Sequence, residues 1–478
     1  MASTLKNLAW KFTERVSAQL VQLVVSIILA RILSPSDYGA VAMVTVFIMF
    51  SNVIIEGGFS SALIQKKNAD DLDFSTVLYF SIGFAIFLYA VLFISAPYIS
   101  AFYGEEYQIL TPVLRVLGIQ VLIYAVNSVQ YAYVQKMMMF KNFFWATLVG
   151  TVTSAVVGLV LAYSGYGVWA IVWQQLTANV INTLTLFAVT RKLPIMAFSF
   201  NRLKGLFNYG IKLFGAHLLI TVYQDIRSLI IGKLYSAQDL AFFDRAKHFP
   251  SLIVMNINSS IGAVLFPKMS KEQDDIEQVK NSTRKSIRFS SYVMSPLMFG
   301  LAAIAEPFIR LVLTEKWIES APLMQWFCIV FLFMPIHTAN MQAIKAIGKS
   351  GTVFNLELIK KVLELVTLIA VMRLGVDAIV INMAIMTTLF TVINAYPNTK
   401  YLGYKYTEQI SDIIPSILMS ILMFVIITGI NAITEFNDLV TIIIDMLAGT
   451  ITYVAISIII KNREFRFITN LIRKRIKR

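Results

Sequence analysis

Fourteen apolar stretches of about 20 residues limit what this chain can become more than any other feature. They fall at roughly 12–33, 40–64, 76–100, 109–134, 143–163, 166–189, 207–231, 241–266, 288–311, 320–344, 353–373, 377–396, 411–431 and 439–460. A helix of that length spans the ~30 Å hydrocarbon core of a bilayer. The chain therefore reads as an all-α integral membrane protein with about 14 transmembrane helices. Only 14% of its residues are charged, against roughly a quarter in soluble proteins. The linkers are short, and the longest polar one, 267–288, leaves no room for a soluble catalytic domain. The first stretch carries Gln19 and Gln22 and is followed by no small-residue cleavage site. It is expected to remain in the protein rather than act as a signal peptide.

The formal net charge of +14 would suggest a nucleic-acid partner on a soluble chain. Position along the chain gives it another meaning. With the N-terminus inside and the spans alternating, 28 of the 41 Lys and Arg residues fall in inside segments and the tail, among them Lys66, Lys136, Arg202, Arg284 and Lys400. The outside loops hold three, Lys233, Lys316 and Arg373, beside acidic residues such as Glu105, Glu106, Glu315 and Glu435. This asymmetry predicts a multi-pass inner-membrane protein with both termini cytoplasmic and no nucleic-acid partner. The basic tail serves as a topology anchor or contacts anionic membrane lipids. A single cysteine, Cys328, and three scattered histidines, His217, His248 and His337, offer no metal-ligand spacing.

Slid against itself by 202 residues, the chain superimposes its first two spans on the seventh and eighth. Arg15, Gln19, Gln22 and Ser26 fall on His217, Thr221, Gln224 and Ser228, while Ser34 and Asp37 fall on Ser236 and Asp239. The spacing i, i+4, i+7, i+11 places each polar set on one helix face. Six spans separate the copies, so both enter the membrane in the same direction. Two parallel six-helix lobes are expected, residues 1–200 (helices 1–6) and 201–402 (helices 7–12). Residues 403–478 then add two further C-terminal helices and the basic tail. Parallel repeats of this kind are a layout of alternating-access carriers with a central cavity. A bundle with no functional cavity is the competing reading.

The segment Leu29-Ala-Arg-Ile-Leu-Ser-Pro-Ser-Asp-Tyr-Gly39, followed by Gly57-Gly-Phe-Ser-Ser-Ala-Leu-Ile-Gln65, resembles the opening of lipopolysaccharide and exopolysaccharide flippases. These form the polysaccharide-transporter branch of the multidrug/oligosaccharidyl-lipid/polysaccharide (MOP) exporter superfamily. Gln135-Lys-Met-Met-Met-Phe-Lys141, Tyr163-Ser-Gly-Tyr-Gly-Val-Trp169 and Phe243-Asp-Arg-Ala-Lys247 are similar to later segments of that family. The resemblance runs in order along the whole chain and is weakest in spans 13 and 14. It implies a V-shaped pair of six-helix lobes like that of the superfamily's multidrug exporters. It also implies translocation of a polyprenyl-pyrophosphate-linked oligosaccharide from the inner to the outer leaflet, for O-antigen or exopolysaccharide assembly. Polysaccharide polymerase machinery would be a partner.

Ten cations remain in or at the ends of the spans once the loop charges are set aside: Arg15, Arg31, Arg115, Lys212, Arg227, Arg245, Lys247, Arg310, Lys360 and Lys361. Charges at membrane depth face a cavity or a partner. Given the pyrophosphate that the resemblance implies, Arg15, Lys212, Lys247 and Arg227 are the candidate anion ligands, since Arg binds phosphate bidentately and Lys as a point charge. Snorkelling or ion pairing, for Arg15 with Glu14, is the alternative. Gln19, Gln22, His217 and Gln224 would form a polar cavity stripe. Asp225, Glu56 and Glu364 are candidate coupling carboxylates for H+ or Na+, with structural salt bridges as the alternative; no other cofactor is expected. In span eleven, Glu357 with Lys361 and Lys360 with Glu364 are expected as i, i+4 pairs.

The stretch Ala343-Ile-Lys-Ala-Ile-Gly-Lys-Ser350 imitates a phosphate-binding loop, but a transmembrane helix precedes it where such a loop needs a strand. No ATPase, and no enzyme, is expected. A cation-coupled multidrug exporter of the same superfamily is the first alternative and would favour acidic, aromatic walls. A membrane polysaccharide polymerase or ligase is the second, but it would need a larger outside loop than the roughly ten residues available. An ion channel lacks a filter-like loop.

Overall fold

Small polar residues start the helices. Ser34 caps one by accepting the Asp37 amide at 3.2 Å while Asp37 takes the Ser34 N–H at 3.0 Å. Ser236 and Asp239, 202 residues later, repeat the arrangement at 3.0 and 3.1 Å. Asp70 and Asp73 form a third such box, each satisfying a donor that a helix N-terminus leaves open. The computed structural model describes the backbone of residues 2–190, 195–434 and 436–476; side chains are described over the same ranges except 2–16, 142, 208–209, 212–213, 216, 220, 260, 263 and 471–476. Among the described residues there are helices and no strand.

Packing divides the chain into two compact units, Met1–Ala241 and Phe242–Arg478. The first unit contains α1 (Ala2–Ile32), α2 (Pro35–Glu56), α3 (Phe59–Gln65), α4 (Asp71–Tyr103), α5 (Leu110–Leu117), α6 (Ile119–Lys136), α7 (Phe140–Tyr163), α8 (Val168–Thr190) and α9 (Phe200–Leu234). Helix α10 (Ala237–Lys271) carries the chain into the second unit. There follow α11 (Ile276–Ala303), α12 (Ala305–Leu313), α13 (Ser320–Leu332), α14 (Met334–Ala346), α15 (Ser350–Val371), α16 (Val376–Leu402), α17 (Tyr406–Ile433), α18 (Asp438–Ile459) and α19 (Arg463–Ile476).

Among the described residues nine helical segments are long and apolar enough to cross a membrane, or ten if the α11–α12 pair, bent by 68°, is one span. The other expected spans correspond to α1, α8, α9 and α15: the described apolar part of α1, Ser17–Ile32, is shorter, and the other three are more polar, α8 with Gln174, Gln175, Asn179 and Asn182. Ile94, Val160, Leu219 and Leu447 stand exposed along these helices. Lipid, not water, tolerates so continuous an apolar surface. The chain is a multi-pass membrane protein.

The internal repeat extends past the first two spans. The short 3-10 turns Glu105–Tyr107 and Glu315–Trp317 lie 210 residues apart. Left-handed backbone recurs in the same register, at Gly104 and Thr314, Met138 and Gly348, and Gly165 and Gly375. The repeat itself starts anew at α9, yet α9 packs within the first unit, against α2, α3 and α4. Gly58 and Gly210 make this possible, since a Cβ on Gly58 would lie 2.3 Å from the Gly210 carbonyl oxygen. Farther along, Lys233 donates to the Phe102 carbonyl.

Candidate functional site

Two polar stripes in the first unit stay uncovered by protein. On α1, Gln22 is exposed and Gln19 and Ser26 are half-buried; on α9, His217 and Gln224 are exposed and Thr221 and Ser228 half-buried. Gln22 and Gln224 each lie ten residues before the last residue of their helix, Ile32 and Leu234. At 1.5 Å per residue that is about 15 Å, or half a hydrocarbon thickness. An amide left without a partner in lipid costs several kcal/mol. These faces therefore call for water or a polar ligand. The side chains of Arg15 and Lys212, predicted on the same helices, lie outside the described residues.

The remaining predicted residues are dispersed. Arg227 is buried on α9, its guanidinium 5.5 Å from the Tyr223 ring centroid, so it does not stand on the open stripe. Asp225 is half-buried beside it in sequence. Lys247 is half-buried on α10, two residues beyond Arg245, whose guanidinium lies 5.5 Å from the Trp317 ring. Glu56 ends α2 and accepts a 3.0 Å hydrogen bond from the Tyr124 hydroxyl. Directly after it, Gly57 and Gly58 adopt positive φ (48° and 75°) and break the helix before α3. Glu364 pairs with Lys361 at 3.5 Å, and Glu357 with Lys360 at 2.6 Å. The pairing is thus i, i+3 and not the expected i, i+4. Lys360 turns into the protein, its ammonium 5.9 Å from the Phe390 ring of α16, which takes it away from Glu364.

The structure also assembles ionic clusters that were counted in sequence only as topological charges. In the first unit Asp73 is fully buried and accepts from Lys66 at 2.7 Å and Arg202 at 3.2 Å. Arg202 reaches Asp70 as well, at 3.2 Å. The Asp73 amide, more than the charge of Arg202 or Lys66, holds the Asp70 carboxyl below the usual range. Lys136 donates to the carbonyls of Leu63 and Lys66 and so closes the end of α3. In the second unit Arg284 binds Asp412 through Nε at 2.6 Å and through Nη2 at 3.2 Å, a bidentate fork. Lys280 adds Glu408 at 3.3 Å, Arg288 adds Glu464 at 3.1 Å, and the buried Tyr404 hydroxyl donates to Asp412 at 2.8 Å. The signals were present in sequence as Asp70-x-x-Asp73 and as cations spaced i, i+4, i+8 on α11.

Comparison with known proteins follows the same lines. The family described as polysaccharide biosynthesis protein matches residues 28–322. The succinoglycan biosynthesis transport protein ExoT of Rhizobium meliloti (strain 1021) is 23% identical over 357 residues, 75% of this chain and 72% of the relative. The teichuronic acid biosynthesis protein TuaB of Bacillus subtilis (strain 168) is 24% identical over 415 residues, 85% of each chain. Among solved structures, the lipid II flippase MurJ in an inward closed conformation superimposes with a TM-score of 0.75 at 16% identity, covering 95% of this chain and 99% of that one. At that identity the likeness concerns the fold.

Proposed function

The chain belongs to the polysaccharide biosynthesis protein family, and from that membership we propose that it is a flippase for a polyprenyl-pyrophosphate-linked oligosaccharide, working by alternating access in the inner membrane. The observation that carries this reading is the pair of mid-membrane polar stripes on α1 and α9 left open by the protein. A sugar headgroup crossing lipid needs such hydrogen-bonding surface. The transport role in the name of ExoT and the flippase fold of MurJ support it.

In this reading Gln19, Gln22, His217 and Gln224 receive sugar hydroxyls, and Arg15, Lys212 and Lys247 receive the pyrophosphate. Arg227, stacked beneath Tyr223, positions the α9 stripe from behind. Proton or sodium coupling falls to Asp225, Glu56 or Glu364, of which Glu56 sits at a helix break and is tied to Tyr124. The Lys and Arg bias puts both termini in the cytoplasm, and a polymerase outside would take up the flipped unit.

Depletion of the protein should strand lipid-linked repeat units in the inner leaflet and lower surface polysaccharide. Unchanged polysaccharide and unchanged intermediates would overturn the reading. A drug-resistance phenotype in the same strain, without polysaccharide loss, would favour the multidrug exporter instead. For the ligands, Arg15→Ala and Lys212→Ala should cut export at normal protein levels; wild-type export from both removes them from the site.

A further inference from the structure

Beside the buried Asp73 lies a cavity of about 320 Å3 lined by Ala62, Gln65, Lys66, Asn201, Arg202 and Gly205, with Leu206 at its wall. Its charged lining residues are both cations, and Gln65 and Asn201 add neutral donors. Asp73 sits beneath at zero exposure, with Lys66 and Arg202 held on it at 2.7 and 3.2 Å. A guanidinium has five N–H donors and an ammonium three. Asp73 engages both cations and Asp70 engages Arg202 alone, which uses part of each donor set, and both cations line the cavity. This is a fixed cationic fork backed by a buried carboxylate, the arrangement by which supporting residues orient a binding group.

Gly205 supplies the second observation. It lies inside α9, where glycine is less stable than alanine. Close packing does not explain it, because a Cβ there would meet nothing within 4 Å. Gly205 lines the cavity, and a large side chain placed there would occupy it.

We propose that this cavity is a phosphoryl-binding site at the basic end of the first unit, which takes the pyrophosphate of the lipid-linked oligosaccharide before it reaches the polar stripes. The assignment rests on the flippase reading for its substrate. An anionic phospholipid offers the same phosphoryl chemistry, so the test separates the two.

The full-length protein, purified in a neutral detergent, is titrated with farnesyl pyrophosphate, with inorganic pyrophosphate and with phosphatidylglycerol as competitors. Wild type should bind farnesyl pyrophosphate and release it to inorganic pyrophosphate but not to phosphatidylglycerol. Lys66→Gln and Arg202→Gln should weaken binding at least tenfold. Because both disturb the Asp73 cluster, Gly205→Leu is the deciding variant: it fills the cavity without touching an ion pair. It should weaken binding at least tenfold with an unchanged or higher unfolding midpoint, and Lys204→Gln, which changes an exposed neighbour outside the lining, should bind within twofold of wild type. Gly205→Leu binding within twofold of wild type overturns the site. Displacement by phosphatidylglycerol in preference to pyrophosphate overturns the substrate assignment. The flippase reading fails separately: depletion without polysaccharide loss would sink it while a tenfold Gly205→Leu effect on pyrophosphate binding still stood.

Discussion

Replacing Asp73 by alanine tests whether the basic-end cluster of the first unit is an organised structure or a set of surface charges. Asp73 has three tasks: it accepts the Asp70 N–H at 3.1 Å, Lys66 at 2.7 Å and Arg202 at 3.2 Å. Losing its share of the capping box costs about 1 kcal/mol. Breaking a buried ion pair costs ~3–5 kcal/mol, but both cations are about a third exposed and can rehydrate. About 1 kcal/mol for each ion pair is the appropriate figure. The expected loss for Asp73→Ala is therefore ~3 kcal/mol. Asp73→Asn keeps an acceptor for the Asp70 amide and should lose about 2 kcal/mol. Reversible unfolding in mixed micelles measures both, and a double-mutant cycle with Arg202→Met should return a coupling of about 1 kcal/mol. Raising the salt to about 0.5 M should reduce the ion-pair part of these differences, because both cations are partly exposed, and leave the capping-box part. An Asp73→Ala loss below ~0.5 kcal/mol, the range of an ordinary surface substitution, would refute the reasoning.

Gly58→Ala should destabilise by about 2–4 kcal/mol, since the residue holds φ at 75° and its Cβ would lie 2.3 Å from the Gly210 carbonyl; Gly215→Ala, in the same α9 with open space around it, should be neutral or stabilising by ~0.5–1 kcal/mol in the same unfolding assay. Arg310 makes three ion pairs, with Glu306 at 2.8 Å, Glu315 at 2.7 Å and Asp438 at 3.1 Å. All are partly exposed, so Arg310→Gln should cost about 1 kcal/mol or less, and salt should erase the difference. The carboxyls of Asp70 and Asp275 are lowered, each first by a backbone amide, that of Asp73 and of Gln278. A lowered folded value gives stability that is present above the ordinary carboxylate pKa and lost as pH falls through the folded one. Asp70→Asn/Asp275→Asn should therefore lose less stability than wild type between about pH 5 and pH 2, measured as the unfolding midpoint against pH.

Lipid made the spans legible, because a solvent without hydrogen bonds forces backbone and side chains into one answer. It also made the breaks harder to see. The stretch at 288–311 reads as one segment, whereas the structure bends it by 68° between α11 and α12. The polar stripes were readable as periodicity, but not their exposure, which depends on what the neighbouring helices cover. Arg202 and Arg284 carry a second role that the sequence does not display. In sequence they match every other inside cation, and their carboxylates lie 129 and 128 residues away, at Asp73 and Asp412. No local pattern distinguishes a cation that fixes topology from one that is clamped. Burial of the partner does.

The repeat sharpens that distinction, because its two copies agree where the backbone needs them to and differ where charge is placed. The Ser-x-x-Asp boxes recur 202 residues apart and the left-handed turns 210 apart, as helix starts and tight turns require. The copies part at Gly57 and Gly58. In the first, the helix is interrupted there, α3 continues the span, and Lys66 at its end reaches the buried Asp73. In the second, α10 runs unbroken from Ala237 to Lys271; Lys268, the counterpart of Lys66, pairs at 3.9 Å with Glu272, the residue just past the helix end. Asp275 caps α11 as Asp70 caps α4, but the N3 position that Asp73 fills in the first copy holds Gln278, which brings no buried carboxylate. Two residues without side chains thus separate a surface ion pair from a cationic fork over a buried carboxylate. The glycine pair Gly57-Gly58 is thus where the two copies differ in backbone as well as in charge.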